Sequence, residues 1–241
     1  VDSHLALPSI PYGRDRLDKV ELPPFAAAIH TGVDSIMTTH IMFPALDDRL
    51  PATLSPVIIT GLLRNEMGFN GIVVTDCLEM KAIADNYGTG EAAVLAIEAG
   101  VDVLLACHTL SIQKTIREAV IKAVKDGRIS EKRIDESVER ILAIKRKYKL
   151  NEKRSVDVNK IPERLGTPEH RALQQEIAER SITIIRDNES LIPLQMCDKC
   201  NLVVAGLHKS IEPLAEAIKN YHSNTTVIKA TRETLDETVK T

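Results

Sequence analysis

Three short apolar runs, each entered through a glycine that ends a helical pattern, constrain the fold of this chain most. They lie at residues 33–39 (VDSIMTT), 72–75 (IVVT) and 101–106 (VDVLLA), behind Gly32, Gly68 and Gly100. None alternates polar with apolar residues, so each reads as a strand buried on both faces, the habit of parallel sheets. Helical patterns fill the gaps. One runs from about residue 14 to residue 30, a second from Ser55-Pro56, a good cap and first-turn pair, through Met67, and a third over 91–99. Two more follow the third run, at 111–126 with Gly127 as C-cap and at 131–149 behind Ser130 as N-cap. Strand–helix alternation with right-handed crossovers makes a parallel α/β architecture. An open doubly wound sheet and a (β/α)8 barrel both satisfy the pattern. A barrel needs eight strands and typically about 250 residues, so three strands before residue 150 make only part of one.

The character changes at Asn151. Residues 151–165 are polar, include Pro162 and read as a linker. Thr167-Pro168 starts another helix, which runs into the β-rich segment 181–186 (SITIIR). A strand at 202–205 (LVVA), a helix at 211–218 and a strand at 226–229 follow, and the charged, helix-like segment 231–241 closes the sequence. The expected organisation is a barrel-type domain over 1–150, a linker over 151–165 and the opening of a second α/β domain over 166–241.

A hydrophobic content of 44% supports a substantial core, and a formal net charge of -3 gives no reason to expect nucleic acid or an anionic membrane as partner. No apolar stretch approaches the roughly 20 residues that span a bilayer. There is no tryptophan, and aromatics are 3% of the chain, so a sugar site here would rely on hydrogen bonds and charge rather than ring stacking. The four cysteines, Cys77, Cys107, Cys197 and Cys200, are too few for a disulfide framework.

Asp2 and His4 stand two apart, so on an extended segment both side chains point the same way. A carboxylate that accepts from one imidazole nitrogen fixes the tautomer and leaves the other nitrogen to face a substrate. A polar loop would read the same. Asp76 closes the run GIVVTD, and the carboxyl end of a parallel strand is where α/β active sites lie. The alternative is a helix N-cap, since aspartate at a strand-to-helix junction is a good one. Cys197-x-x-Cys200 has zinc-knuckle spacing, but no second pair follows and His208 does not complete a site. Cys77 reads as a small buried filler, and His40 is either near the mouth that Asp76 faces or a satisfied core histidine.

Taken together, VDSHLALPSI, MTTHIMFPALDD, PATLSPVIITGLLRNEMGFNGIVVTDCLEMKAIAD and EAGVDVLL resemble family 3 glycoside hydrolases, in their β-N-acetylglucosaminidase branch. RSITIIRDNESLIPL resembles that family's entry into its second domain. The resemblance implies the C-terminal half of a (β/α)8 barrel followed by the start of an αβα sandwich. It also implies a retaining exo-glycosidase that removes terminal β-N-acetylglucosamine from muropeptide or peptidoglycan fragments. Asp76 then matches the nucleophile, His4 the general acid/base and Asp2 the carboxylate that forms a dyad with it, in place of the usual two carboxylates. The implied partner is a small carbohydrate or muropeptide, and neither a cofactor nor a metal is called for.

One departure from the family pattern bears on activity. The Lys-His…Pro-Gly-His-Gly segment that holds the sugar, which the family carries just before Asp-Ser-His, is not in this sequence. The expectation is therefore a partial chain that is inactive by itself. Three readings stand beside the leading one: a β-glucosidase-type relative, a phosphorylase that uses phosphate in place of water, and a non-catalytic α/β binding module. Two-domain members of the branch tend to be exported or lipid-anchored, and the linker points that way.

Overall fold

The computed structural model describes residues 2–152, 155–195, 197, 199–207 and 210–229; the segment 231–241 and His208 lie outside the described residues. The chain folds as two compact units, Val1–Val156 and Asp157–Thr241.

The first unit runs through α1 (Arg14–Arg16), a π turn (Leu17–Glu21), α2 (Pro23–His30), β1 (Ser35–Met37), a π-type helix (Val57–Glu66) and β2 (Ile72–Cys77). It continues with α3 (Lys81–Tyr87), α4 (Thr89–Ala99), β3 (Val103–Leu105), α5 (Leu110–Lys125) and α6 (Glu131–Lys147). The strands form one parallel sheet in the order β1-β2-β3, with Ile36 opposite Val73 and Val74 opposite Val103. The punctuating glycines behave as their positions demand. Gly32, Gly68 and Gly100 adopt φ values of 81°, 70° and 116°, a region that costs any residue with a Cβ. The Ser55 hydroxyl accepts from Ile58 N–H at the start of the π-type helix, and the Ser130 hydroxyl accepts from Arg133 N–H at the start of α6.

The core lies between the sheet and its helices. Val73, Leu78 and Ile83 are fully buried there with Ala92, Ala93, Ala96 and Ala99 of α4, whose small side chains let the helix come close. Burial differs from the expectation of strands covered on both faces. In β2, Val73, Thr75 and Cys77 are buried while Ile72, Val74 and Asp76 are only half-buried, and in β1 Met37 is exposed. Successive side chains of a strand point to opposite faces, so the sheet has a packed face and a more open one, and Asp76 is on the open one. The helix expected over 14–30 is also interrupted, because Pro23 and Pro24 carry no N–H for the helical ladder and a π turn closes before them.

The second unit contains α7 (Pro168–Ser181), β4 (Leu202–Gly206), α8 (Ile211–Lys219) and β5 (Thr225–Lys229). Thr167 caps α7 by accepting from His170 N–H. β4 and β5 pair in parallel from Leu202↔Thr225 to Gly206↔Lys229, and Val204, Ile211 and Ala215 form a small core beneath α8. The β-rich segment 181–186 is not a strand. Ser181 ends α7, and Ile185 beyond it is 95% exposed. A β-prone sequence pairs only where a pleated surface receives its side chains, and these isoleucines meet none.

Candidate active site

Asp76 stands near the C-terminal end of β2, half-buried, with Oδ1 accepting the Cys77 N–H at 2.7 Å. It does not cap the helix that follows. α3 begins four residues beyond Cys77, its cap residue is Met80, and no side-chain cap bond is made. That leaves the carboxylate without the dull role that its position would otherwise suggest.

Asp2 and His4 meet, although not on an extended segment. Leu5 and Ala6 donate to the Asp2 carbonyl, at 2.9 and 3.1 Å, so the pair forms a turn. The Asp2 carboxylate closes that turn by accepting the His4 backbone N–H at 2.9 Å, a local competition that short polar side chains win against extended structure. The same oxygen lies 2.8 Å from His4 Nδ1. A carboxylate can only accept, so Nδ1 carries the proton, and Nε2 has no intramolecular partner among the described residues. The hydrogen bond from the His4 backbone, then that from its ring, hold the Asp2 carboxyl below the usual carboxylate range. Both side chains are exposed.

The two parts of the site share one attachment. Ala82, in the first turn of α3, donates its N–H to the Ser3 carbonyl at 3.3 Å. The Asp2–His4 turn is therefore docked on the loop-and-helix segment that leaves Asp76, on the carboxyl side of the sheet.

One residue that was not singled out from sequence, Glu79, also lies on this face. Glu79, in the turn after β2, accepts the backbone N–H groups of His108 and Thr109 at 2.7 and 2.9 Å. It thereby joins the loop after β2 to the loop after β3. Those bonds, with the His108 N–H first, hold its carboxyl below the ordinary value against the opposing effect of burial. Its one legible signal is position, three residues beyond Asp76. Cys77 is buried, as a small filler would be, with its thiol 3.6 Å from Glu79 Oε2. His40 is fully buried, with its ring nitrogens on Thr53 Oγ1 and the Cys77 carbonyl. Cys197 and Cys200 are joined in a disulfide, so their sulfurs are not free to bind a metal.

A parallel α/β unit with a carboxylate and an Asp–His pair at the carboxyl ends of its strands has the layout of an α/β enzyme site. Comparison with known proteins gives the family. The model of the glycosyl hydrolase family 3 N-terminal domain matches residues 1–144, and the chain belongs to glycoside hydrolase family 3. Among solved structures it resembles a family 3 β-N-acetylglucosaminidase from Paenibacillus sp. str. FPU-7. The two share 39% identity at a TM-score of 0.85, covering 100% of this chain and 48% of that one. Among curated proteins it is 30% identical to β-hexosaminidase A of Pseudoalteromonas piscicida, over 96% of this chain and 41% of that protein. It is 29% identical to a β-N-acetylglucosaminidase/β-glucosidase of Cellulomonas fimi, over 81% of this chain and 36% of that protein. The chain thus spans less than half the length of these relatives.

Proposed function

We propose that this chain carries the catalytic groups of a retaining β-N-acetylglucosaminidase, acting on terminal sugars of muropeptide or peptidoglycan fragments. Asp76 attacks the anomeric carbon while protonated His4 gives its Nε2 proton to the departing oxygen. Neutral His4 then takes a proton from water, which hydrolyses the glycosyl–Asp76 bond. Asp2 keeps the imidazole in the Nδ1–H tautomer, so that Nε2 is the nitrogen that exchanges the proton. On this reading residues 1–150 form the C-terminal half of a (β/α)8 barrel, 151–165 a linker and 166–241 the start of an αβα sandwich domain.

The observation that carries the proposal is the docking of the Asp2–His4 turn, through Ser3 and Ala82, on the segment that leaves Asp76. Names of the relatives, β-N-acetylglucosaminidase and β-hexosaminidase, support the choice of sugar. The test is covalent trapping in the intact protein. A fluorinated N-acetylglucosaminide that slows the second step should leave a sugar adduct on the peptide that contains Asp76, and Asp76→Ala should abolish it. An adduct on another residue, or a product of inverted configuration, would reject the mechanism.

A further inference from the structure

We propose that His40 is a positioning residue for Asp76, acting through the Cys77 peptide; the proposal rests on the reading of Asp76 as nucleophile. The need for such a residue lies in the strand. Between Val74 and Cys77 the register of β2 against β3 shifts, so the ladder is irregular where Asp76 sits. Leu105 N–H also reaches a side chain there, donating to the Thr75 hydroxyl at 2.9 Å. Past the shift the backbone keeps two bonds, from Leu78 N–H to the Leu105 carbonyl at 2.9 Å and from Met80 N–H to the Cys77 carbonyl at 3.1 Å, and side chains add the remaining contacts on Cys77.

His40 supplies one of those side-chain contacts. Its Nε2 lies 3.0 Å from the Cys77 carbonyl oxygen, and its Nδ1 lies 2.8 Å from Thr53 Oγ1. The Thr53 hydroxyl also lies 2.8 Å from Thr38 Oγ1 and 2.9 Å from the Thr39 carbonyl. His40 and Thr53 are 0% exposed. A carbonyl oxygen can only accept, so Nε2 carries the proton. In the neutral ring Nδ1 is then an acceptor, and the single Thr53 hydroxyl hydrogen is shared between it and the Thr39 carbonyl, with Thr38 donating to Thr53 Oγ1. Burial favours that neutral form, pushing the imidazole below its ordinary pKa despite the pull of the Cys77 carbonyl and the Asp76 charge.

Cys77 is therefore gripped at both ends. Its carbonyl is held by His40, and its N–H is given to Asp76 Oδ1 at 2.7 Å. That second bond selects the rotamer of the Asp76 carboxylate and leaves Oδ2 as the oxygen to attack. A satisfied core histidine without this role would show the same two contacts, but replacing it would change stability and not the rate of bond formation at Asp76.

Two substitutions in the intact protein separate the cases. His40→Gln keeps an N–H donor at the reach of Nε2, whereas His40→Asn keeps a polar group toward Thr53 but is too short for the Cys77 carbonyl. His40→Asn is expected to lower kcat about 100-fold with KM within twofold, the scale of loss for a misplacement of about 1 Å. His40→Gln should restore most of it at equal folded fraction, judged by thermal melting. Equal kcat in the two folded variants, or a loss confined to KM, would overturn the proposal. A measurement on the unaltered protein covers the case in which a variant does not fold. The 15N resonances of His40 should show a protonated Nε2 and shift when a fluorinated N-acetylglucosaminide is trapped on Asp76. Resonances that stay fixed on trapping would overturn the positioning role, whereas an adduct mapped to another residue would overturn the underlying reading of Asp76.

Discussion

Arg64 and Asp102 meet at the amino-terminal end of the sheet, with Nη2 2.6 Å from Oδ2, on the opposite side from Asp76. Asp102 immediately precedes β3, and its carboxylate is fully buried. Every lone pair is used. Oδ2 also accepts Val73 N–H at 2.9 Å, and Oδ1 accepts from Ser137 Oγ at 2.7 Å and Arg140 Nη1 at 3.0 Å. Arg64 in turn donates to the Phe69 and Gly71 carbonyls, so one ion pair ties β2, β3, α6 and the π-type helix together. In parallel α/β folds the carboxyl ends of the strands do chemistry and the amino ends hold the structure.

Asp102→Ala should therefore act on stability and leave the chemistry of the folded protein unchanged. Burial already lowers the pKa of Arg64 and Arg133, with Asp102 opposing it, and the neighbouring guanidinium groups repel one another. Removing the carboxylate leaves these charges facing each other without a partner. The expected loss is about 3–5 kcal/mol, the usual cost of breaking one side of a buried ion pair. Urea unfolding followed by circular dichroism measures it, and a loss below about 1 kcal/mol would contradict the assignment.

Gly71 should resist substitution for a reason that composition does not reveal. A Cβ added there would meet the Asp34 carbonyl oxygen at 2.5 Å and Phe69 Cζ at 2.6 Å. The first of these is backbone beside β1, and the second is a ring that is 2% exposed. Neither can move without disturbing the β1–β2 register. Gly71→Ala is expected to cost about 1–3 kcal/mol by overpacking, seen as a lower midpoint of thermal unfolding. An unchanged midpoint would mean that the strand can shift at no cost.

The helix–glycine–strand pattern made β1, β2 and β3 legible, because the positive φ at Gly32, Gly68 and Gly100 is a local requirement that the sequence must meet locally. The cap at Ser130 was legible for the same reason. The spacing of Asp2 and His4 suggested a pair, but not the turn that forms it, since extended and turn conformations both satisfy that spacing and one hydrogen bond decides. For His40 two readings stood open in sequence, the mouth that Asp76 faces and a satisfied core, with nothing local to choose between them. Its partners Thr53 and Cys77 lie 13 and 37 residues away, and only the fold brings a threonine hydroxyl and a strand-end carbonyl to its two nitrogens. The segment 181–186 misled because β propensity reports a side chain's fitness for a pleated surface, not whether one is there.

Burial of His40 should make stability depend on pH. Its folded pKa lies below the ordinary imidazole value of 6.5, so between the two values the unfolded chain binds more protons than the folded one. Stability from this group is present above about pH 6.5 and is lost as pH falls through the folded value. The denaturation midpoint should drop between pH 7.5 and pH 5, a window above the range in which Asp47, also depressed, comes into play. His40→Gln should flatten that slope. A slope unaffected by the substitution would show that the imidazole is not neutral and buried in solution.

The division of labour between His4 and Asp76 can be read from the leaving group. If His4 gives a proton to the departing oxygen, its absence matters most where that oxygen leaves as a strong base and least where it leaves as a stable phenolate. His4→Ala in the intact protein should lower kcat/KM about 10²–10⁴-fold for an alkyl N-acetylglucosaminide, the usual range for general acid catalysis, and much less for a dinitrophenyl one. Asp2→Asn should fall in the same direction. An amide in place of the Asp2 carboxylate no longer requires a donor at His4 Nδ1, so the Nε2–H tautomer competes and the ring cannot act as base when water attacks. Because the Asp2 carboxyl is held below its ordinary pKa by the His4 backbone and ring, it stays ionised above about pH 4, and its own titration adds no feature to the rate profile in the neutral range. Asp76→Ala should depend on none of this, losing turnover of both glycosides alike, because without the carboxylate no nucleophile displaces even a good leaving group from the anomeric carbon. Equal sensitivity of His4→Ala to the two glycosides would place the proton donor elsewhere and leave the Asp2–His4 turn a structural feature of the loop.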